Sequence, residues 1–219
     1  MQGDEETTVI AWAGDGGTFD IGIQPLSGAA ERNDDFIYIC SDNEAYMNTG
    51  IQRSSATPYL AWTTTIPVGS PKERPKKDMM AIMAGHHIPY AATACVAYPE
   101  DLIQKLQKAK GMKGTRFIHL LCSCPPGWRI SSDEAVKVAR LAVETKVFPL
   151  YEIEGGRTYR FTYQPKGIPV EEYLTQQGRF SHLTREQMAT IQDNVERQWD
   201  RLMEQCDGRA KGGADRLAQ

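Results

Sequence analysis

The sequence predicts an α/β domain: a mostly parallel sheet with helices on both faces, followed by a C-terminal hairpin and helix. Three observations predict it. Short apolar, β-rich runs alternate with segments of helical spacing, the order expected when crossover helices join parallel strands. The first such unit, residues 9–43, ends both of its strands in polar, cation-seeking groups. A chain of 219 residues is also long enough to bury the core one such domain needs.

Val9-Ile10-Ala11-Trp12-Ala13 reads as a buried strand. It breaks at Gly14-Asp15-Gly16-Gly17, and apolar residues resume with helical spacing through Phe19, Ile23, Leu26 and Ala30. Phe36 to Cys40 is a second strand, closed by Ser41-Asp42-Asn43. Residues 51–75 are rich in Thr, Ser and Pro, and exceed an ordinary connection, which points to a functional loop. DMMAIMAG, residues 78–85, predicts a short helix capped by Asp78 and stopped by Gly85. Residues 90–96 form a small-residue strand. Pro99, Glu100 and Asp101 then suit the first turn of a helix through Leu102, Ile103 and Leu106.

Arg116 to Cys122 suits a central strand. Ser131 to Glu134 predicts the cap of a helix through Val136, Ala139 and Val143. Residues 148–153 and 158–163 flank Glu154-Gly155-Gly156-Arg157, a hairpin signal. Residues 184–203 place Met188, Ile191, Val195, Trp199 and Leu202 on one helical face, and residues 209–219 read as a frayed end. No internal repeat is present.

Composition excludes several classes. The net charge is −3 and no basic face clusters, which argues against nucleic acid. The run Lys72-Glu73-Arg74-Pro75-Lys76-Lys77 reads as a solvated loop, or as a docking patch for an acidic redox partner. No run of about 18 apolar residues predicts a membrane span. The acidic start, MQGDEETTV, is not a signal peptide. Five scattered cysteines fit reduced thiols, and the expectation is a cytoplasmic protein.

Asp15 and Asn43 stand 28 residues apart, one just past each of the first two strands. If those strands are parallel neighbours, both side-chain oxygens face one crevice at the carboxyl ends of the sheet. A carboxylate and an amide oxygen suit Mg²⁺, which takes oxygen ligands and leans on a ligand's phosphates. The flanking glycines let backbone approach a diphosphate, and the following helix start favours its charge. The histidines offer less. His86 and His87 are adjacent and point different ways, with no partner spaced for zinc. His119 reads as a satisfied core histidine and His182 as a loop residue.

Gly-Asp-Gly followed at this distance by Asp42-Asn43 resembles the thiamine diphosphate motif. With Glu44-Ala45-Tyr46-Met47-Asn48-Thr49-Gly50 it is similar to the β subunits of pyruvate:ferredoxin oxidoreductase and its 2-oxoacid relatives. The likeness continues through HIPYAATACVAYPEDL, FIHLLCSCPPGW and VARLAVETKVFPLYE, and covers residues 7–155. It implies thiamine diphosphate as cofactor, with Asp15, Asn43 and the Ala45 carbonyl as Mg²⁺ ligands. Gly14, Gly16 and Gly17 would meet the diphosphate. Asn48, one helical turn past Asn43, would orient the reacting centre, with Thr49 and Gln52 beside it. Cys124 matches the fourth ligand of a [4Fe–4S] cluster, and Cys122 is a strand thiol. One cysteine holds no such cluster, so it is expected only in a complete assembly.

The resemblance further implies a CoA-acylating enzyme that oxidatively decarboxylates pyruvate to acetyl-CoA and CO₂ and passes electrons to ferredoxin. Its other 2-oxoacid readings are 2-oxoisovalerate and oxalate. A partner α subunit would supply the glutamate that activates the cofactor, so the chain is expected to be inactive alone. Residues 1–155 would be the thiamine diphosphate-binding domain and residues 156–219 an extension. Relatives carry a further N-terminal segment with three cluster cysteines, expected here as a truncated piece or a separate chain. Two competing readings are a non-catalytic fragment acting as an interaction module, and a non-redox decarboxylase that would not need Cys124.

Overall fold

The structure is a computed structural model that describes residues 7–207. A six-stranded sheet contains β1 (Ile10–Gly14), β2 (Phe36–Asp42), β3 (Tyr90–Cys95), β4 (Thr115–Leu121), β5 (Tyr151–Glu154) and β6 (Thr158–Phe161) in the order β1-β2-β4-β3-β5-β6. The first four are parallel, and β5 and β6 are antiparallel additions at one edge. The predicted α/β sheet is therefore present, with the hairpin continuing the same sheet. Gly155 and Gly156, at φ 58° and 68°, supply the left-handed turn between β5 and β6.

Seven helices pack around the sheet: α1 (Ile23–Glu31), α2 (Met79–Gly85), α3 (Pro99–Lys110), α4 (Pro125–Trp128), α5 (Ala135–Glu144), α6 (Glu171–Leu174) and α7 (Arg185–Asp207). Strand residues alternate between two apolar layers. Cys40, Phe117, Ala91 and Ile153 meet Leu26, Ala30 and the methionines of α2 on one face. Ile37, Ile39, Ile118 and Leu120 meet Leu102, Leu106 and Ala109 of α3 on the other. A third cluster joins Leu121 and Trp128 to α5, α6 and Val195 of α7. β1 is not the buried strand expected of Val9 to Ala13, because the cover from α3 ends at β2: Ile37 and Ile39 are 3% exposed, while their register partners Ile10 and Trp12 on edge strand β1 are 56% and 63% exposed.

Several elements differ from expectation. The helix expected from Phe19 to Ala30 is divided, a π-helical turn at Gly17–Ile21 preceding α1. Such turns concentrate at functional sites. Asp78 does cap α2, accepting from the Ala81 amide at 2.9 Å. Ser131 makes no side-chain cap, because residues 132–134 tighten into a 3₁₀ turn before α5. His86 binds Ser27 Oγ at 3.0 Å and His87 is exposed, as their adjacency requires. The frayed end expected for residues 209–219 lies outside the described residues.

The basic run is solvated only in its middle, at Glu73, Arg74 and Pro75; its lysines turn inward. Lys72 is 5% exposed, and its ammonium donates to the carbonyls of Thr57 and, at 3.3 Å, Pro75. Lys77 donates to the Phe19 carbonyl. Lys76 ion-pairs with Asp42 and, at 3.1 Å, with Glu44. These lysines turn inward because buried carbonyls and carboxylates lack enough other donors, and they pin residues 51–75 over the ends of β1 and β2.

Candidate metal centre

β1 and β2 are parallel neighbours with Gly14 opposite Ser41, so the chain leaves both at the same edge of the sheet. Asp15 follows the first strand and is 1% exposed; Asn43 follows the second. Asp15 Oδ2 accepts from Ser54 Oγ at 2.5 Å. The inward terminal atom of the Asn43 amide lies 3.0 Å from Asp15 Oδ1 and 2.9 Å from the Ala45 carbonyl oxygen. With the amide oxygen inward, three acceptors face one another with no donor between them. Turned over, the amide NH₂ donates to both neighbours.

A carboxylate, an amide oxygen and a carbonyl are the donor set of a hard divalent cation. Without a cation the NH₂ faces both neighbours; a bound cation would instead favour the amide oxygen there. The residues therefore fit the Mg²⁺ that the spacing suggests. Electrostatics agree: burial, then the nearby Asp42 carboxylate, lift the Asp15 carboxyl from 3.8 to about 7. A cation would offset both influences.

The other expected site residues divide. Gly14, Gly16 and Gly17 surround Asp15, but the clearest constraint within the chain falls on Gly16. A side chain there would meet the Tyr46 ring at 2.2 Å, and Tyr46 Oη donates to the Gly16 carbonyl at 3.2 Å and to Asp20 at 2.9 Å. Asn48 is not one helical turn past Asn43. Tyr46 and Gln52 exchange backbone hydrogen bonds at 2.9 and 3.2 Å, and Asn48 stands exposed at the tip of the loop they close. Gly50 and the local Thr49–Gln52 bonds at 2.6 Å favour this tight turn over a helix.

Cys124 precedes α4 at the same edge of the sheet. A side chain on Gly127 would lie 3.4 Å from Cys124 Sγ and 2.2 Å from Met47 Sδ, so the loop carrying Asn48 packs beside this cysteine. Cys122 instead accepts from Ser41 Oγ at 3.4 Å. Among the described residues no group of three or more His, Cys, Asp or Glu could hold a metal, and Cys124 offers one thiolate.

Sequence reasoning missed the charged layer behind the site. Asp42 is fully buried, accepts the Glu44 amide at 2.9 Å, and lies 2.6 Å from His119 Nε2. Burial would raise its carboxyl, but Lys76 and His119 outweigh burial and hold it at about 2. Glu44, 4% exposed, pairs with Lys76 and, at 2.6 Å, with Arg179. Trp128 Nε1 donates to the Asn43 carbonyl at 2.9 Å. No local pattern announces these partners, though Glu44 between two expected ligands could have prompted a search for one.

Comparison with known proteins bears on the family. The family described as thiamine pyrophosphate enzyme, C-terminal TPP binding domain, matches residues 1–120. The pyruvate synthase subunit PorB of Methanocaldococcus jannaschii is 55% identical over 197 residues, covering 88% of this chain and 66% of that protein. The ketoisovalerate oxidoreductase subunit VorB of Pyrococcus furiosus is 51% identical over 207 residues, covering 92% and 67%. A solved 2-oxoglutarate:ferredoxin oxidoreductase from Magnetococcus marinus overlays with a TM-score of 0.48 and 22% identity, over 58% of this chain and 50% of that one. The chain thus spans about two thirds of the length of these curated relatives. No helix among the described residues is long and apolar enough to cross a membrane. The chain belongs to the family of thiamine pyrophosphate-binding β subunits of the 2-oxoacid:ferredoxin oxidoreductases.

Proposed function

We propose that the chain binds thiamine diphosphate through Mg²⁺ and forms part of the active site of a pyruvate:ferredoxin oxidoreductase, which makes acetyl-CoA and CO₂ and passes electrons to ferredoxin. One observation carries the cofactor reading: the Asn43 side-chain amide lies 3.0 Å from Asp15 Oδ1 and 2.9 Å from the Ala45 carbonyl, so a turn of that amide gathers the three oxygens a hard cation takes. Thiamine diphosphate, when bound, supplies a carbanion that adds to the 2-oxo group and an electron sink for loss of CO₂.

This chain's residues hold and orient. Ser54 occupies Asp15 Oδ2, leaving Oδ1 toward the cation. Gly14 and Gly17 border that carboxylate and leave backbone accessible to a diphosphate, while Gly16 makes room for the Tyr46 ring that packs on it. Asn48 and Thr49, exposed at the loop tip, orient the reacting centre and complete the pocket against an α subunit. Cys124 supplies the fourth thiolate of a [4Fe–4S] cluster whose other three come from beyond the described residues.

The 55% identity to PorB favours pyruvate, while VorB, matched over 207 residues, favours 2-oxoisovalerate as the second reading. Steady-state turnover of both oxoacids by the assembled enzyme decides between them. The cofactor reading is tested by calorimetry of Mg²⁺-dependent thiamine diphosphate binding, on the chain alone and with its co-expressed partner subunit. Binding that disappears in Asp15→Ala supports it, and no binding by wild type in either form overturns it.

A further inference from the structure

Glu44 stands between Asn43, whose side-chain amide lies 3.0 Å from Asp15 Oδ1, and Ala45, whose carbonyl lies 2.9 Å from that same amide. Its φ of 71° is left-handed, a conformation disfavoured for a residue with a side chain. Strain of this kind persists where the surroundings over-determine it, and it concentrates at functional sites. All four of its anchors are recorded. The Glu44 amide donates to Asp42 Oδ1 at 2.9 Å, and its carbonyl accepts from Thr57 Oγ1 at 2.8 Å. Its carboxylate meets Lys76 at 3.1 Å and Arg179 Nη2 at 2.6 Å.

Resting on the cation reading above, we propose that Arg179 is the positioning residue of this loop. It acts on both flanking residues of the pair by different routes. Through Glu44 it fixes the left-handed residue that aims the Ala45 carbonyl. Through Trp128 it reaches Asn43: the guanidinium carbon lies 4.2 Å from the Trp128 ring centre, and that indole donates to the Asn43 carbonyl at 2.9 Å. Arg179 is itself held rigid, 2% exposed, with Nε donating to Gln177 at 2.9 Å and Nη2 lying 3.1 Å from the Tyr173 hydroxyl. A planar cation that pairs with a carboxylate and stacks on an indole at once is a task lysine cannot repeat.

Stability alone does not account for this arrangement. Apolar replacements of buried ion pairs are often neutral or stabilising. What the pair does supply is direction: it sets where two oxygens point, and outer partners of metal ligands commonly act in that way. Arg179 also lies outside residues 1–120, so the part of the chain beyond the matched thiamine pyrophosphate domain determines how that domain presents its ligands.

The test measures Mn²⁺ binding by electron paramagnetic resonance, on the full chain with thiamine diphosphate present. Arg179→Met is expected to weaken Mn²⁺ roughly 10- to 100-fold and to alter the bound-ion linewidth. Arg179→Lys should fall between it and wild type. Trp128→Phe, which keeps the ring and removes the N–H, should weaken binding by the second route. Arg179→Met with Glu44→Gln should be no worse than Arg179→Met alone. A lowered melting temperature with unchanged Mn²⁺ affinity and linewidth in the folded protein would show a merely structural role and overturn the proposal. If Arg179→Met does not fold, wild-type affinity in Trp128→Phe overturns it as well. A wild-type chain that takes up no Mn²⁺, either alone or with its co-expressed partner subunit, sinks the underlying cation reading first, before any variant is compared.

Discussion

Two buried carboxylates in this molecule face opposite circumstances. Glu152, 3% exposed on β5, is saturated with donors: Lys108 at 2.8 Å, Arg160 Nε at 2.8 Å, and the Tyr90 hydroxyl at 2.8 Å. Burial would raise its carboxyl, but those partners outweigh burial and hold it below the usual value. Asp15 is equally buried, yet it has no cationic hydrogen-bond partner, only the Ser54 hydroxyl and the Asn43 amide beside it. Burial and Asp42 therefore raise its carboxyl. Buried charge is common to both regions. A shortage of cationic donors is what separates a cation site from a structural ion cluster.

The largest effect that would break this contrast is at the ligand itself. Asp15→Asn keeps the shape but removes the charge. It is expected to cost Mg²⁺ affinity more than the roughly 100-fold that outer-shell changes reach, while leaving the cation-free fold at least as stable. Mn²⁺ titration and denaturant unfolding of the same samples check both halves. Retained affinity would mean that the three oxygens do not act as ligands.

Glu152→Gln should do the reverse, lowering stability by about 1–3 kcal/mol with no change in Mn²⁺ affinity. Its partners Lys108 and Arg160 reach solvent, at 27% and 65% side-chain exposure, which keeps the loss below that of a fully buried pair.

A further effect follows from pH. A carboxyl raised from 3.8 to about 7 on folding binds its proton more tightly in the folded chain than in the unfolded one. Cation-free stability should then fall as pH rises from about 4 to 7, by at most about 1.4 kcal/mol per pH unit, and level off above. Saturating Mg²⁺, or Asp15→Asn, should remove that slope; chemical denaturation at several pH values measures it. Smallest of all, Lys137→Ala breaks an exposed pair with Glu134, at 60% and 39% side-chain exposure. A change within about 0.5 kcal/mol is expected, with wild-type cation affinity.

Sequence by itself determined the sheet and singled out the two candidate ligands, Asp15 and Asn43. The alternation of β runs with helical spacing specified parallel neighbours, since a strand–helix–strand unit this short returns beside its start. Parallel neighbours put Asp15 and Asn43 at one edge, so a spacing of 28 residues in sequence became 3.0 Å in space. Hydrophobic periodicity is a local record of which face is buried, and it is legible for that reason.

Only the tertiary structure decided what surrounds those ligands. Lys76 belongs to a run that reads as solvated, and it turns inward, half-buried, because Asp42 and Glu44 lie beneath it. Asn48 sits at a loop tip because Tyr46 and Gln52 pair across it. Arg179 meets Glu44 across 135 residues of chain. A charged side chain enters a core only when its partner is already there, and the partner's position is a property of the whole packed fold rather than of any window of sequence.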